Sequence, residues 1–255
     1  MSLVPTIAAP TSPARSDSLP MPLSGGGAPY AALSLAAAGD MGFGDDENRS
    51  RRAAWLREAG FDPRRAGSVD LVHSRKVVAA ERAEDCRGLE ADGIVAPGRG
   101  AELSCLVITV ADCMPIFLFD SATGAYGLLH SGWKGTGILA EAVSTMARLY
   151  GTRPADVSAT FGPRIGPCCY AVDEARASAF EAEFGPAAVS RAGGGLRLDL
   201  VAANLAIAGR LGLGAVEVVD ACTYCGDGYG SFRRQGPGRF TRMAAVIGYR
   251  ASPRG

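Results

Sequence analysis

From Leu103 the chain reads LSCLVITVADC, an almost unbroken apolar run that stops on polar residues. A strand with one face in water alternates apolar and polar side chains, so a continuous run demands cover on both faces. IFLFD follows, and after the SATG turn AYGLLH repeats the pattern up to His130, which predicts a hairpin or two neighbouring strands. A chain with such strands has to build layers on either side of its sheet.

The covering elements are legible as well. Ile138, Leu139, Ala142, Val143, Met146, Leu149 and Tyr150 fall on one helical face, closed by Gly151. NRSRRAAWLREAG, residues 48–60, sets Ala53, Ala54, Trp55, Leu56 and Ala59 among arginines and predicts a helix whose arginines line one exposed side. VSATF and AVEVVDA read as strands, and the segments after Asp173 and Asp199 as helices capped by those aspartates and ended by glycine. The elements interleave irregularly, so the expected class is α/β of an α+β-like layered kind: mixed β-sheets flanked by helices. With 255 residues and 47% hydrophobic content, one core is expected. Residues 1–29, rich in Pro, Ser, Ala and Gly, read as a flexible leader to a single catalytic domain at 30–255.

Lys plus Arg balance Asp plus Glu at 26 each, so no summed field gathers nucleic acid or an anionic membrane. No stretch has the length of a membrane helix and the start lacks a secretion pattern, so a soluble, cytoplasmic protein is expected, as a monomer or small homo-oligomer. In that setting seven cysteines point to metal binding or a reactive thiol rather than to disulfides.

Only two histidines occur, His73 in DLVHS and His130 in GLLHSGWKG, both at the ends of apolar runs. His130 follows Cys113 by 17 residues, enough for two strands and a turn to bring both to one sheet edge. Two imidazoles and a thiolate suit a catalytic zinc, which keeps a coordination position open, and Asp112 would support the site or accept a proton. The bland alternative makes the histidines satisfied polar residues and Cys113 a small buried hydrophobe. A third reading makes Cys113 a nucleophile activated by His130.

Cys222 and Cys225 form a CxxC followed by GDGYGS, a loop rather than the helix of a redox motif, and read as ordinary thiols; a structural zinc would need Cys168 and Cys169 to join them. FGPRIGPCCY is a shaped loop in which Arg164 either binds an anion or is solvated, and Arg233, Arg234, Arg239 and Arg242 form a local basic patch. GWKGTG matches neither nucleotide-binding glycine motif.

VHSRKVV, TVADCMPIFLFD, LLHSGWKGT, FGPRIGPCCY and SFRRQG with TRMAAVIG, in this order between Gly25 and Tyr249, resemble the YfiH or multicopper-polyphenol-oxidase-like family, which includes the laccase-domain purine nucleoside enzymes. The resemblance implies a single-domain YfiH-type fold and a zinc on His73, Cys113 and His130, with Cys113, His73 and Asp112 as the catalytic set. It further implies phosphorolysis of adenosine, inosine and methylthioadenosine together with adenosine deamination, with nucleoside and phosphate as the small-molecule partners. Copper and laccase-like polyphenol oxidation are the alternative that the family carries. The family's helix-borne arginine corresponds most nearly to Arg52, which with Arg164 is expected to hold phosphate. LVHS stands where the family has QVHG, and HSGWKG where it has HAGWRG.

Overall fold

The computed structural model describes residues 4–8, 17–191 and 194–250. A seven-stranded mixed sheet runs, edge to edge, through Thr6–Ala8, Ala215–Val219, Val157–Phe161, Met114–Asp120, Tyr126–Ser131, Gly93–Ala96 and Val77–Ala79. A five-stranded sheet runs through Ser18–Pro20, Tyr30–Ser34, Met243–Gly248, Cys105–Val110 and Ala66–Gly67. Met114–Asp120 and Tyr126–Ser131 are the antiparallel hairpin that the sequence predicts, with Pro115 opposite His130.

The two sheets face each other, and a helical layer covers each outer side. Side-chain alternation sorts every strand between two cores. In Met114–Asp120, Met114, Ile116 and Leu118 turn toward helices Ile138–Tyr150, Glu174–Phe184 and Leu200–Leu211. Phe117 turns the other way, to meet Leu106, Ile108 and Ala245 between the sheets. In Cys105–Val110 the odd positions, Cys105 and Val107, pack with Trp55 and Leu56 of helix Asp46–Glu58. Both faces of these strands are therefore covered, which is why the run from Leu103 carries almost no polar residue.

Caps follow the local chemistry. Asp173 accepts from Arg176 N, and Asp199 from Val201 N and Ala202 N, as expected. Gly151 takes the left-handed conformation that ends its helix, and Leu149 in the last turn is exposed rather than packed. The first helix begins before Asn48, because Asp45 caps it. Its arginines do not all face solvent: Arg52 is 7% exposed.

The leader reading needs correction for the residues described. Thr6–Ala8 pairs with Ala215–Val219 and Ser18–Pro20 pairs with Tyr30–Ser34, while Leu19 and Met21 are buried. Edge strands borrow hydrogen bonds from a partner strand and need little periodicity of their own, so composition alone did not reveal them. The rest of residues 1–29 lies outside the described residues. No helix among those described is long and apolar enough to cross a membrane.

Candidate metal centre

The strand ends that close the helix-side core deliver His130 and Cys113 to one spot, and the loop before Val77–Ala79 adds His73. Ligand atoms of His73, Cys113 and His130 all lie within 4.8 Å of one another. The imidazole rings meet edge to face, with centroids 4.9 Å apart. Asp92, fully buried at the start of Gly93–Ala96, organises both histidines. Its Oδ1 accepts from His73 N and lies 2.9 Å from His130 Nδ1, and its Oδ2 accepts from Ser74 N and Ser74 Oγ. A carboxylate only accepts, so His130 Nδ1 carries a proton and Nε2 is left to face Cys113 or a metal. Burial would raise the Asp92 carboxyl, but bonds from His130 and Ser74 outweigh it and hold it at about 2.

Strain marks the same place. Among the described residues the non-glycine positions with positive φ are His73, at 59°, and Asp112, at 78°. Left-handed backbone at non-glycine residues persists where the surroundings enforce it, often at functional sites. A Cβ on Gly132 would stand 2.7 Å from Cys113 Sγ and 3.6 Å from His73 Cδ2, so only glycine keeps the space between the ligands clear. Burial would raise the Cys113 thiol, but His130 and His73 against the sulfur bring it down to about 6. Burial would lower His130, and the Cys113 and Asp92 charges instead lift it to about 10. The mutual attraction of Cys113 and His130 thus favours a thiolate beside an imidazolium, and a metal would displace the proton between them. Two imidazoles and a thiolate around a glycine-cleared space fit a zinc ion with a further position open.

The centre forms one end of a cleft of about 670 Å³. Its walls bring together Phe43, Trp133, Tyr170, Phe232 and Phe240 with Arg176, Arg233 and Arg242. Arg176 Cζ lies 4.5 Å from the Trp133 ring centroid and Arg242 Cζ 4.2 Å from that of Phe240. Arg242 is paired with Asp40, whereas the Arg176 guanidinium has no acidic partner among the described residues.

Asp112 lines the cleft beside Cys113, with Oδ1 accepting from Thr223 Oγ1 at 2.7 Å and Oδ2 from Arg233 N at 2.6 Å. Arg52 and Arg164 lie behind the residues that line the cleft, next to Phe43 and Ile165. Arg52 donates to Met41 O and Gly42 O and stacks 3.6 Å over Phe43, and burial brings its pKa down to about 10. Arg164 is 5% exposed, donating to Val219 O and Asp220 Oδ1. Arg52 thus bonds two backbone carbonyls, and Arg164 one carbonyl and one carboxylate, with Arg164 Nε left unpartnered among the described residues. The loops of Cys168, Cys169, Cys222 and Cys225, read as ordinary thiols, do meet. Asp92 and Arg176 escaped the sequence reading; the ADG turn before an apolar strand was the one available signal for Asp92, and nothing local singled out Arg176.

The fold and the centre define a layered αββα protein built around a His, Cys, His cleft. Residues 24–250 match the family described as multi-copper polyphenol oxidoreductase laccase, and the chain belongs to that family. A relative from Deinococcus radiodurans named purine nucleoside phosphorylase is 36% identical over 222 residues, 86% of this chain and 83% of the relative. A solved Neisseria meningitidis protein superposes with a TM-score of 0.79 at 25% identity, over 92% of this chain and 100% of its own. The Bacillus licheniformis protein YfiH does so with a TM-score of 0.73 at 27% identity, over 87% of this chain and 92% of its own. The family and the layered fold expected from the sequence blocks are thereby shown.

Proposed function

We propose that the chain is a zinc-dependent purine nucleoside phosphorylase acting on adenosine, inosine and methylthioadenosine, with adenosine deamination in the same cleft. The observation that carries this reading is the convergence of His73, Cys113 and His130 at the end of a cleft lined by aromatic rings and arginines. The name of the Deinococcus radiodurans relative supports it. The cleft volume suits a nucleoside with phosphate. Phe43, Tyr170, Phe232 and Phe240 offer faces for a purine. We assign the phosphate contact to Arg176, which lines the cleft and pairs with no acidic side chain among the described residues. In phosphorolysis a phosphate oxygen forms a bond to the ribose carbon as the bond to the purine nitrogen breaks. When bound, zinc supplies a Lewis acid and lowers the pKa of a water to about 7. Asp112 holds the Cys113 turn against the loops of Thr223 and Arg233, and its remaining lone pairs can take a proton.

The test is to follow adenosine and inosine with the metal-loaded protein, with and without phosphate. Free base and ribose phosphate that form only with phosphate support phosphorolysis, and ammonia released from adenosine supports deamination. Absence of any phosphate-dependent product would overturn the first part.

A second reading is favoured by one observation, the alignment of Cys113, His130 and Asp92 as thiol, base and orienting carboxylate. Chelation separates the two: stripping the metal abolishes turnover under the zinc reading, and a Cys113 nucleophile survives it but not iodoacetamide. Copper-dependent phenol oxidation is disfavoured by the donor set, because two histidines in the whole chain cannot ligate a multicopper cluster.

A further inference from the structure

A second group of donors plays no part in the proposed chemistry. Cys168, Cys169, Cys222 and Cys225 come from two loops, and their sulfur atoms all lie within 4.8 Å of one another. Cys225 Sγ is 3.7 Å from Cys168 Sγ and 3.2 Å from Cys169 Sγ, well beyond disulfide bonding, and all four thiols are free. Four sulfurs at about 2.3 Å from one zinc stand about 3.8 Å apart along the edges of a tetrahedron. The separations of 3.7 and 3.2 Å, with every other pair within 4.8 Å, bracket that edge.

The backbone assembles this shell without help from the sulfurs. Arg164 N donates to Ala221 O at 3.2 Å and Thr223 N to Arg164 O at 2.9 Å, which zips the two loops together just ahead of the cysteines. Cys169 N and Tyr170 N both donate to Gly166 O, and Gly226 N donates to Cys222 O, so each cysteine pair rides on a tight turn. A Cβ on Gly166 would stand 3.2 Å from Cys168 Sγ and 3.5 Å from Cys222 Sγ, so glycine is what lets the turns close. Gly166 N–H points at Cys222 Sγ at 3.2 Å, a donor that favours thiolate over thiol. Arg234 donates to the carbonyl oxygens of Thr223, Tyr224 and Gly226, setting a positive charge against the CxxC turn. Cys168 and Cys225 are exposed, which gives an ion a path in from solvent.

We infer that Cys168, Cys169, Cys222 and Cys225 form a second metal site, a closed four-thiolate zinc site that staples the two loops and is separate from the cleft centre. Four protein ligands leave no coordination position for a substrate, so its work is structural. The stapled loops carry cleft residues: Ile165 N donates to Asp112 O, Thr223 Oγ1 donates to the Asp112 carboxylate, and Tyr170 lines the wall. The inference stands whether or not the cleft acts on nucleosides.

The test is zinc per chain after purification in zinc medium under reducing conditions. The expected result is two equivalents for the unaltered chain and one for Cys113→Ala with His130→Ala. That remaining equivalent should be lost when Cys222→Ser and Cys225→Ser are added, and kept when Cys225→His replaces a ligand by a ligand. Should the serine variant fail to fold, cobalt loaded into the Cys113→Ala, His130→Ala chain should show the intense near-ultraviolet absorption of several thiolates on one ion. No zinc retained by the folded Cys113→Ala, His130→Ala chain, or a disulfide between these cysteines in reduced protein, overturns the inference.

Discussion

The cleft centre and the cysteine cluster use overlapping chemistry to opposite ends. At the cleft, three donors of two kinds sit where strands and a strained loop end, and a buried carboxylate bonds the His130 imidazole and the His73 backbone N–H. At the cluster, four identical donors sit on two turns at the surface, held by backbone bonds and a neighbouring arginine. A site meant to keep a position open has to hold its ligands apart from outside, which is the task of Asp92 and Gly132. A site that closes on its ion needs only turns that bring four sulfurs within reach. Under the two proposals the same thiol serves chemistry at Cys113 and scaffolding at Cys222, and the surroundings make the difference.

The largest effect that sharpens this contrast is expected from His130→Ala. Loss of a ligand should cost the cleft its metal and roughly a thousandfold in kcat/KM, about 4 kcal/mol of transition-state stabilisation, while the cluster keeps its zinc. Metal analysis beside turnover checks both halves, and full activity in this variant would remove the cleft from the mechanism. Asp92→Asn should weaken cleft zinc binding roughly 10- to 100-fold, as losing an outer carboxylate partner does, measurable by competition with a chromophoric chelator. Arg176→Ala should raise the KM for phosphate by about tenfold or more with zinc content unchanged, as expected when one charged hydrogen-bond donor is removed. An unchanged KM would return the phosphate role to another arginine of the cleft. Cys222→Ser with Cys225→Ser should leave turnover at 25 °C within a few fold but lower Tm by roughly 5–10 °C, the shift that losing about 2 to 3 kcal/mol gives a chain of this size.

The two sites also differ in their protons. Zinc entering the cleft at pH 7.5 should release about one proton, because Cys113, down at about 6, is already a thiolate while His130, lifted to about 10, must give up its proton. Cleft affinity should accordingly fall as pH is lowered. A pH indicator in weak buffer, used with the Cys222→Ser and Cys225→Ser chain, reads this release for the cleft alone.

Much of this could be read from the chain in order. The apolar run after Leu103 announced strands covered on both faces, and the rarity of histidine made His73 and His130 conspicuous. Asp173 and Asp199 announced their helices because a cap acts within its own turn. Long-range neighbours were out of reach. Asp92 serves His130 across 38 positions, and Cys169 meets Cys225 across 56. Arg52 shows the limit in a single residue: its place on a helix was legible, but its burial over Phe43 and its use on Met41 O and Gly42 O depend on how that helix docks.

By itself, then, the sequence determined the periodicities, the caps and the layered class, because each of these is written in residue type and short spacing, and it marked His73, Cys113 and His130 as candidate donors. Tertiary structure decided which carboxylate bonds the histidines, which arginines line the cleft, and that two pairs of cysteines become one cluster. Those outcomes hang on how strands register and loops cross, where contacts between distant residues are set by the packing of the whole chain and leave no mark on local pattern.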